Sequence, residues 1–334
     1  MTELQTPRSN ATRRLAGALL LVAAPFVLFC AGRGLVEFTG DLLQQRYPPP
    51  GRMISAGDHR LDLYCIGIGR PAIIIEPGMA AAWSDWHPVV SRLRATGQVC
   101  VYDRAGYGWS QSGPMPRDAT VEAKDLHILL SNAGIEPPYI LIGHSYGGYI
   151  ARIYAGLFGD SLAGVVLADP AIEGEPLSVV PLFRKIVAFF PPVGAQRLVH
   201  LIEGRSAIPP DLSDAPAPFQ ARFLIGPSVQ QQEAERSELV SLPQTEAAVR
   251  HARFPEDLAL TVITARHLIS PRQYYPPPVP EPPPSHQAFH ERLSRQSVRG
   301  RYIVAERSGH QIEMDQPELI AGAVQDMIHE LRSR

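Results

Sequence analysis

Short apolar runs alternate with helical segments along most of the chain. Residues 60–66 alternate polar and apolar side chains, and further runs predict strands at 72–75, 99–102, 139–142, 164–168, 258–264 and 302–305. Helices are predicted at 121–133, from the spacing of its apolar residues, and at 149–158 and 317–331. Because strands alternating with helices are typical of a parallel sheet covered on both faces, the sequence predicts an α/β fold with a mostly parallel sheet flanked by helices.

This alternation lapses between the strands at 164–168 and 258–264. Residues 183–190, 196–202 and 230–242 have a helical pattern, which predicts a helical cap or lid insertion at 170–255 over the strand ends, where open α/β sheets bind ligands. The core then consists of residues 47–169 and 256–334. Five phenylalanines of the cap either line an apolar pocket or simply hold the cap together; they are Phe183, Phe189, Phe190, Phe219 and Phe223.

The N-terminal region, residues 1–46, has its own pattern. Residues 15–32 carry no charge and follow Arg8, Arg13 and Arg14. This indicates a membrane anchor or a cleaved signal segment, and a buried helix of the soluble domain is a third interpretation. The preceding arginines predict a catalytic domain outside the cytoplasm, membrane-anchored, or secreted or periplasmic after cleavage.

Composition narrows the possible partners. The chain is 45% hydrophobic with a net charge of -2, which is typical of a globular protein and gives no support to nucleic-acid binding. Its 33 prolines exceed the usual share of about 5% and cluster in a few places. The densest cluster, at 276–284, predicts a stiff, solvated loop.

A candidate nucleophile lies in Gly143-His144-Ser145-Tyr146-Gly147, between an apolar strand and a predicted helix. This is the setting of a nucleophile elbow, in which the glycines allow a tight turn and the serine hydroxyl projects above the sheet. An ordinary glycine-rich turn is the alternative. A serine hydroxyl needs an imidazole to remove its proton, and His310 lies on a loop after the strand at 302–305. We therefore predict Ser145 as nucleophile and His310 as general base.

With these motifs the chain resembles the α/β-hydrolase family from about residue 60 to residue 327. Residues 76–79 are similar to the family's oxyanion loop, and residues 103–110 to the loop after the following strand. The resemblance implies an α/β-hydrolase fold and an oxyanion hole formed by the amides of Met79 and Tyr146. A simple turn at residues 77–78 is the alternative. Asp103 is expected to fix its turn rather than to react.

The triad acid is where this sequence departs from the commonest family pattern. After the strand at 258–264, the first carboxylate is Glu281, inside the proline-rich stretch. Asp169 follows the strand at 164–168, where some members of the fold place their acid, and it keeps the order Ser, Asp, His. We expect Asp169 to orient His310. The alternatives are Glu281 as the acid, and an Asp169 that only caps the turn before Pro170.

Three cysteines allow at most one internal disulfide, and Cys30 lies in the apolar N-terminal segment. In the fold that the chain resembles, the strands carrying Cys65 and Cys100 are neighbours. With the predicted location outside the cytoplasm, this implies a disulfide between the two, which requires Cα atoms within about 7 Å. Two small buried thiols are the alternative.

The function implied by the resemblance is that of a serine hydrolase, acting on a carboxylic ester or related acyl compound through an acyl-enzyme on Ser145. A serine at the elbow disfavours dehalogenases and epoxide hydrolases, whose nucleophile is a carboxylate. Amide, lactone, thioester and carbon–carbon bond hydrolysis stay open, as does a ligand-binding or receptor protein with little turnover. The expected partner is a small, apolar acyl substrate. No residue spacing matches a metal or nucleotide site, so we expect no metal and no cofactor.

Overall fold

A computed structural model of the 334-residue chain describes residues 47–81, 83–174, 228–269 and 281–333, with isolated positions between 23 and 38 and between 216 and 220. The described helices and strands form one twisted sheet with helices on both faces. The ends of the parallel strands position all of the candidate catalytic residues.

Eight strands make up the sheet, in the spatial order β1-β2-β4-β3-β5-β6-β7-β8. The pairings of β1 with β2 and of β2 with β4 are antiparallel, and the others are parallel. The strands are β1 (Arg52–Ser55), β2 (Arg60–Ile66), β3 (Ala72–Glu76), β4 (Val99–Tyr102), β5 (Tyr139–His144), β6 (Leu162–Ala168), β7 (Ala259–Ala265) and β8 (Gly300–Ala305). The predicted mostly parallel sheet is therefore confirmed.

Helices cover both faces of the sheet. Because successive residues of a strand point to opposite sides, a single strand contributes to the apolar core on each face. Within β3, Ile74 belongs to one apolar cluster, whereas Ile73 and Ile75 belong to the other. The described α-helices are His87–Leu93, Ala119–Asn132, Tyr146–Phe158, Val229–Val240, Leu242–His251, Pro284–Ser294, Ile312–Asp315 and Pro317–Arg332, and short 3₁₀ turns occupy Trp83–Trp86 and Gly159–Ser161.

Several elements differ from the sequence prediction for identifiable reasons. β1 was not predicted, because this four-residue edge strand is half exposed and has no apolar run. The predicted helix at 230–242 corresponds to Val229–Val240, and a second helix that was not predicted, Leu242–His251, starts after Ser241 with a proline in its first turn. Pro284, predicted to end a loop, begins the helix Pro284–Ser294, where proline lacks only an amide that has no helical partner.

Two predicted regions fall largely outside the described residues. The first is the predicted cap at 170–255. Its predicted helices at 183–190 and 196–202 and all five phenylalanines lie outside the described residues, whereas the helices Val229–Val240 and Leu242–His251 lie within them. Most of the predicted N-terminal membrane segment, 15–32, also lies outside. Within the described part of the chain, no helix has both the length and the apolar character needed to span a membrane.

The predicted disulfide is confirmed. Cys65 of β2 lies directly opposite Cys100 of β4 in the antiparallel register. Their Cα atoms are 4.1 Å apart and their sulfur atoms are bonded. The cross-link joins the two strands beside the parallel part of the sheet.

Candidate active site

Ser145 lies on the sharp turn between β5 and the helix Tyr146–Phe158. Its backbone is in the left-handed region, with φ of +52°, as expected for a strained nucleophile elbow. The position two residues after Ser145 must be glycine, because a Cβ built on Gly147 would lie 2.6 Å from the carbonyl oxygen of Pro77 and closer still to that of Glu76. The elbow and the predicted oxyanion loop are thus in backbone contact.

His310 bridges Ser145 and Asp169. Its Nε2 lies 3.0 Å from Oγ of Ser145, and its Nδ1 lies 2.6 Å from Oδ2 of Asp169. The three residues follow three different strands, β5, β6 and β8, whose carboxyl ends lie at the same edge of the parallel sheet. This hydrogen-bond chain is the arrangement that activates a serine hydroxyl.

Asp169 is held as an ionised carboxylate. Burial alone would raise its pKa, but hydrogen bonds from His286 and His310 and the nearby imidazoles hold the pKa of Asp169 well below its usual range. Its Oδ1 accepts a hydrogen bond from the amide of Ala265 (2.9 Å), which leaves Oδ2 for His310. Glu281, the alternative acid, is 53% exposed and pairs with Arg266 at 3.3 Å.

His144, the residue before Ser145, is buried beside the elbow. Burial lowers the pKa of His144 to about 3, so the ring is neutral at pH 7. Because a carbonyl oxygen only accepts, Nε2 of His144 carries the proton and donates it to the carbonyl oxygen of His310 (2.9 Å). This bond fixes the backbone at His310, the predicted general base.

His286 and His290, which follow the proline-rich stretch, lie beside Asp169. Both lie on Pro284–Ser294, where a spacing of four residues places them on one face, and His290 is fully buried. Nδ1 of His290 bonds to the hydroxyl of Thr264, and Nε2 to the carbonyl oxygen of Pro170, both at 2.8 Å. Burial lowers the pKa of His290 to about 4, so this ring is also neutral at pH 7.

Asp169, His286 and His290 are also spaced like a metal site, because one ligand atom of each lies within 4.8 Å of the others. The hydrogen bonds argue against that use. Both ring nitrogens of His290 are already engaged, and both oxygens of Asp169 accept hydrogen bonds. These side chains therefore suit hydrogen bonding around the Asp169 carboxylate better than they suit binding of a divalent cation.

Of the residues predicted to bind the oxyanion, Tyr146 directly follows Ser145, and Met79 follows Gly78, which lies against Ser145. Tyr146 is the first residue of its helix, so its amide has no acceptor within the helix. A Cβ built on Gly78, next to Met79, would lie 3.2 Å from Cβ of Ser145, which places the oxyanion loop against the serine. Both amides therefore stay candidates for stabilising a tetrahedral oxyanion.

The loop after β4 holds two further residues of interest. Asp103 fixes its turn as expected, because its Oδ2 accepts a hydrogen bond from the amide of Trp109 at 3.1 Å. Arg104, for which the sequence predicts no role, is buried and donates hydrogen bonds to the carbonyl oxygens of Pro77 and Gly78 in the predicted oxyanion loop. An arginine in a glycine-rich loop after a buried strand was the only signal for it in the sequence.

Comparisons with known proteins support the observed fold. A sequence model of the alpha/beta hydrolase family matches residues 73–323. The chain is 29% identical over 156 residues to a 2-hydroxy-6-oxo-2,4-heptadienoate hydrolase of Pseudomonas putida, which is 42% of this chain and 55% of that protein. It covers 18% to 40% of the length of the first curated relatives that it matches.

Solved structures show the same fold. A thermophilic esterase from Thermogutta terrifontis superposes with a TM-score of 0.57 at 18% identity, over 83% of this chain and 97% of that one. An enol-lactonase from Burkholderia xenovorans gives a TM-score of 0.58 at 20% identity, over 83% of this chain and 99% of the other.

Proposed function

Because this chain belongs to the alpha/beta hydrolase family, we propose that it is a serine hydrolase that cleaves carboxylic esters or related acyl compounds. The observation that carries the proposal is the continuous hydrogen-bond chain from Ser145 through His310 to Asp169. Such a chain at the carboxyl edge of a parallel sheet supports acyl transfer, because each of its members meets a requirement of that reaction.

In the proposed mechanism, Oγ of Ser145 attacks the acyl carbon while Nε2 of His310 takes the hydroxyl proton. The carbonyl oxygen becomes an oxyanion, which the amides of Met79 and Tyr146 bind. The imidazolium of His310, stabilised by the carboxylate of Asp169, then gives its proton to the departing alkoxide. The C–O bond breaks, and an acyl-enzyme on Ser145 is left. A water molecule activated by His310 attacks this ester and releases the acid.

The proposed substrate is a small, apolar acyl compound. The serine nucleophile supports an ester over a haloalkane or an epoxide, whose hydrolysis in this fold uses a carboxylate nucleophile. The Pseudomonas putida relative is named as a hydrolase of a heptadienoate, so cleavage of a carbon–carbon bond by the same triad is the principal alternative within the enzyme class.

We also propose that the enzyme works in an oxidising compartment, with residues 47–169 and 256–334 forming the core and 170–255 the cap. The Cys65–Cys100 disulfide supports this location, because such cross-links persist mainly outside the reducing cytoplasm. The apolar segment at 15–32 would supply the membrane anchor or export signal.

The direct test is hydrolysis of p-nitrophenyl esters of graded chain length. We expect wild-type protein to release nitrophenol and Ser145→Ala to lose that activity. Ser161→Ala is the matched control. Ser161 precedes β6, at the opposite end of that strand from Asp169, and its hydroxyl donates to the carbonyl oxygen of Phe158. Binding of an ester without turnover would favour a ligand-binding protein, whereas equal turnover by wild type and Ser145→Ala would overturn the assignment of Ser145 as the nucleophile.

A further inference from the structure

Arg104 is buried at the junction of four structural elements. Its side chain is 2% exposed and forms ion pairs with Glu76 of β3 at 3.0 Å and with Glu238 of the helix Val229–Val240 at 3.1 Å. Glu122 of the helix Ala119–Asn132 lies 3.7 Å away. A guanidinium without such partners would be costly to bury, so this arrangement holds the side chain in one orientation.

The same guanidinium also bonds to the oxyanion loop. Nη1 donates to the carbonyl oxygen of Pro77 (2.6 Å) and Nη2 to that of Gly78 (3.0 Å). The carbonyl of Gly78 and the amide of Met79 belong to one planar peptide unit, in which C=O and N–H point in opposite directions. Fixing the Gly78 carbonyl on Arg104 therefore fixes the direction of the Met79 amide, one of the two proposed oxyanion donors.

Arg104 also contacts the residue that carries the second donor. Its guanidinium carbon lies 5.5 Å from the centroid of the Tyr146 ring, within the range of a cation–π contact. It lies 4.7 Å from the ring of Tyr107, whose hydroxyl accepts a hydrogen bond from the amide of Ala80 at 3.4 Å. One buried cation is thus in contact with both sides of the proposed oxyanion hole.

Glu238 is the contribution of the predicted cap region to this arrangement. Its two oxygens accept hydrogen bonds from Nε and Nη2 of Arg104, at 3.1 and 3.4 Å, and Oε2 also accepts from the Tyr107 hydroxyl at 2.8 Å. Glu238 is fully buried. The helix that carries it is therefore attached, through Arg104 and Tyr107, to the loop that precedes and follows Met79.

We propose that Arg104 is a positioning residue that aims the Met79 amide at the oxyanion, and that Glu238 holds Arg104 in place. The position of the helix Val229–Val240 then determines how strongly the oxyanion hole binds the oxyanion. This inference rests on the proposed function. It adds a link between the cap region and transition-state stabilisation, through Arg104 and its bonds to the oxyanion loop.

The test compares Arg104→Lys and Glu238→Gln with wild type. Lysine keeps the charge but loses the forked geometry that reaches two carbonyl oxygens and Glu238 together. We expect kcat for p-nitrophenyl butyrate to fall by about 10- to 1,000-fold in Arg104→Lys, the upper value being that of losing one oxyanion donor, with little change in KM. For Glu238→Gln, which keeps one acceptor for Arg104, we expect a smaller fall in kcat.

A second measurement separates oxyanion binding from general damage. An aliphatic trifluoromethyl ketone forms a hemiketal oxyanion with the serine, so its affinity should fall in each variant by about the same factor as kcat. The pH midpoint of kcat, which reports the general base, should not move. Arg117→Lys is the matched control: Arg117 pairs with Glu122 and Asp125 in the same buried cluster, and we expect it to lower stability while kcat stays near the wild-type value.

The outcomes are distinct. If wild type hydrolyses the ester and binds the ketone but neither folded variant loses more than about twofold in kcat or ketone affinity, the positioning role is wrong and the proposed function stands. The same holds if Arg117→Lys lowers kcat as much as Arg104→Lys. If Arg104→Lys does not fold, Glu238→Gln decides. If wild type itself neither hydrolyses esters nor binds the ketone, both proposals fail.

Discussion

Replacement of Asp169 by asparagine tests the assignment of the triad acid. In the structure Oδ1 accepts from the amide of Ala265 and Oδ2 faces Nδ1 of His310. An asparagine keeps the first bond by placing its oxygen there, so its NH₂ group points at Nδ1. A donor in that position forces Nδ1 to accept, which moves the imidazole proton to Nε2, facing Ser145. The general base is then in the wrong tautomer.

The expected loss in kcat is large. The same change in another serine triad costs about 10⁴-fold, which corresponds to about 5.5 kcal/mol of transition-state stabilisation. The fold should persist, because the side chain keeps its size and its bond to Ala265, and circular dichroism will check this. Steady-state hydrolysis of a p-nitrophenyl ester measures the loss, and Glu281→Gln is the control, expected to stay near wild type. A loss below about tenfold in Asp169→Asn, with a large loss in Glu281→Gln, would refute the assignment.

Three further predictions concern stability. The pKa of His290 lies at about 4 in the folded protein, below the value of 6.5 for an unperturbed histidine. As the pH falls, the unfolded chain therefore binds this proton first, so the stability present above pH 6.5 is lost progressively towards pH 4. Urea unfolding should show that, between pH 7.5 and 5, His290→Gln loses about 2 kcal/mol less than wild type; parallel curves would contradict this. Replacing Cys65 and Cys100 by alanine should lower the free energy of unfolding by roughly 2–4 kcal/mol, given the 35-residue separation, and an unchanged melting temperature would be the opposing result. Gly147→Ala should lower the free energy of unfolding by about 1–3 kcal/mol and remove most of the activity, because the added methyl group overlaps backbone atoms. In the same unfolding experiment, Gly322→Ala, at an open position in a helix, should leave stability unchanged or raise it.

Local patterns in the sequence were sufficient for most of the sheet and for Ser145 and His310, whereas the choice of Asp169 also needed the family resemblance. The strands Arg60–Ile66 and Val99–Tyr102 have the predicted bounds, because their apolar residues are bounded by turn residues or charges. Ser145, Asp169 and His310 each follow a strand directly or on a short loop, so the parallel topology alone brings them to one edge.

Residues that act through distant partners could not be predicted in this way. Arg104 and Glu238 are 134 positions apart in the chain, and a glutamate on a polar helix gives no sign that it will be buried. His290 follows a proline run, which gives no sign that its side chain will be buried and bonded to Thr264 of β7. Tertiary contact, which no local pattern encodes, decides both cases.

The most direct test of the central claim is the intact mass of the folded protein after reaction with an alkyl fluorophosphonate. The activated serine should displace fluoride and gain one phosphonyl group per chain, and peptide mapping should place it on Ser145. Ser145→Ala should gain none, and Asp169→Asn should react far more slowly than wild type. A folded wild-type protein that gains no mass, or an adduct that persists in Ser145→Ala, would contradict the account.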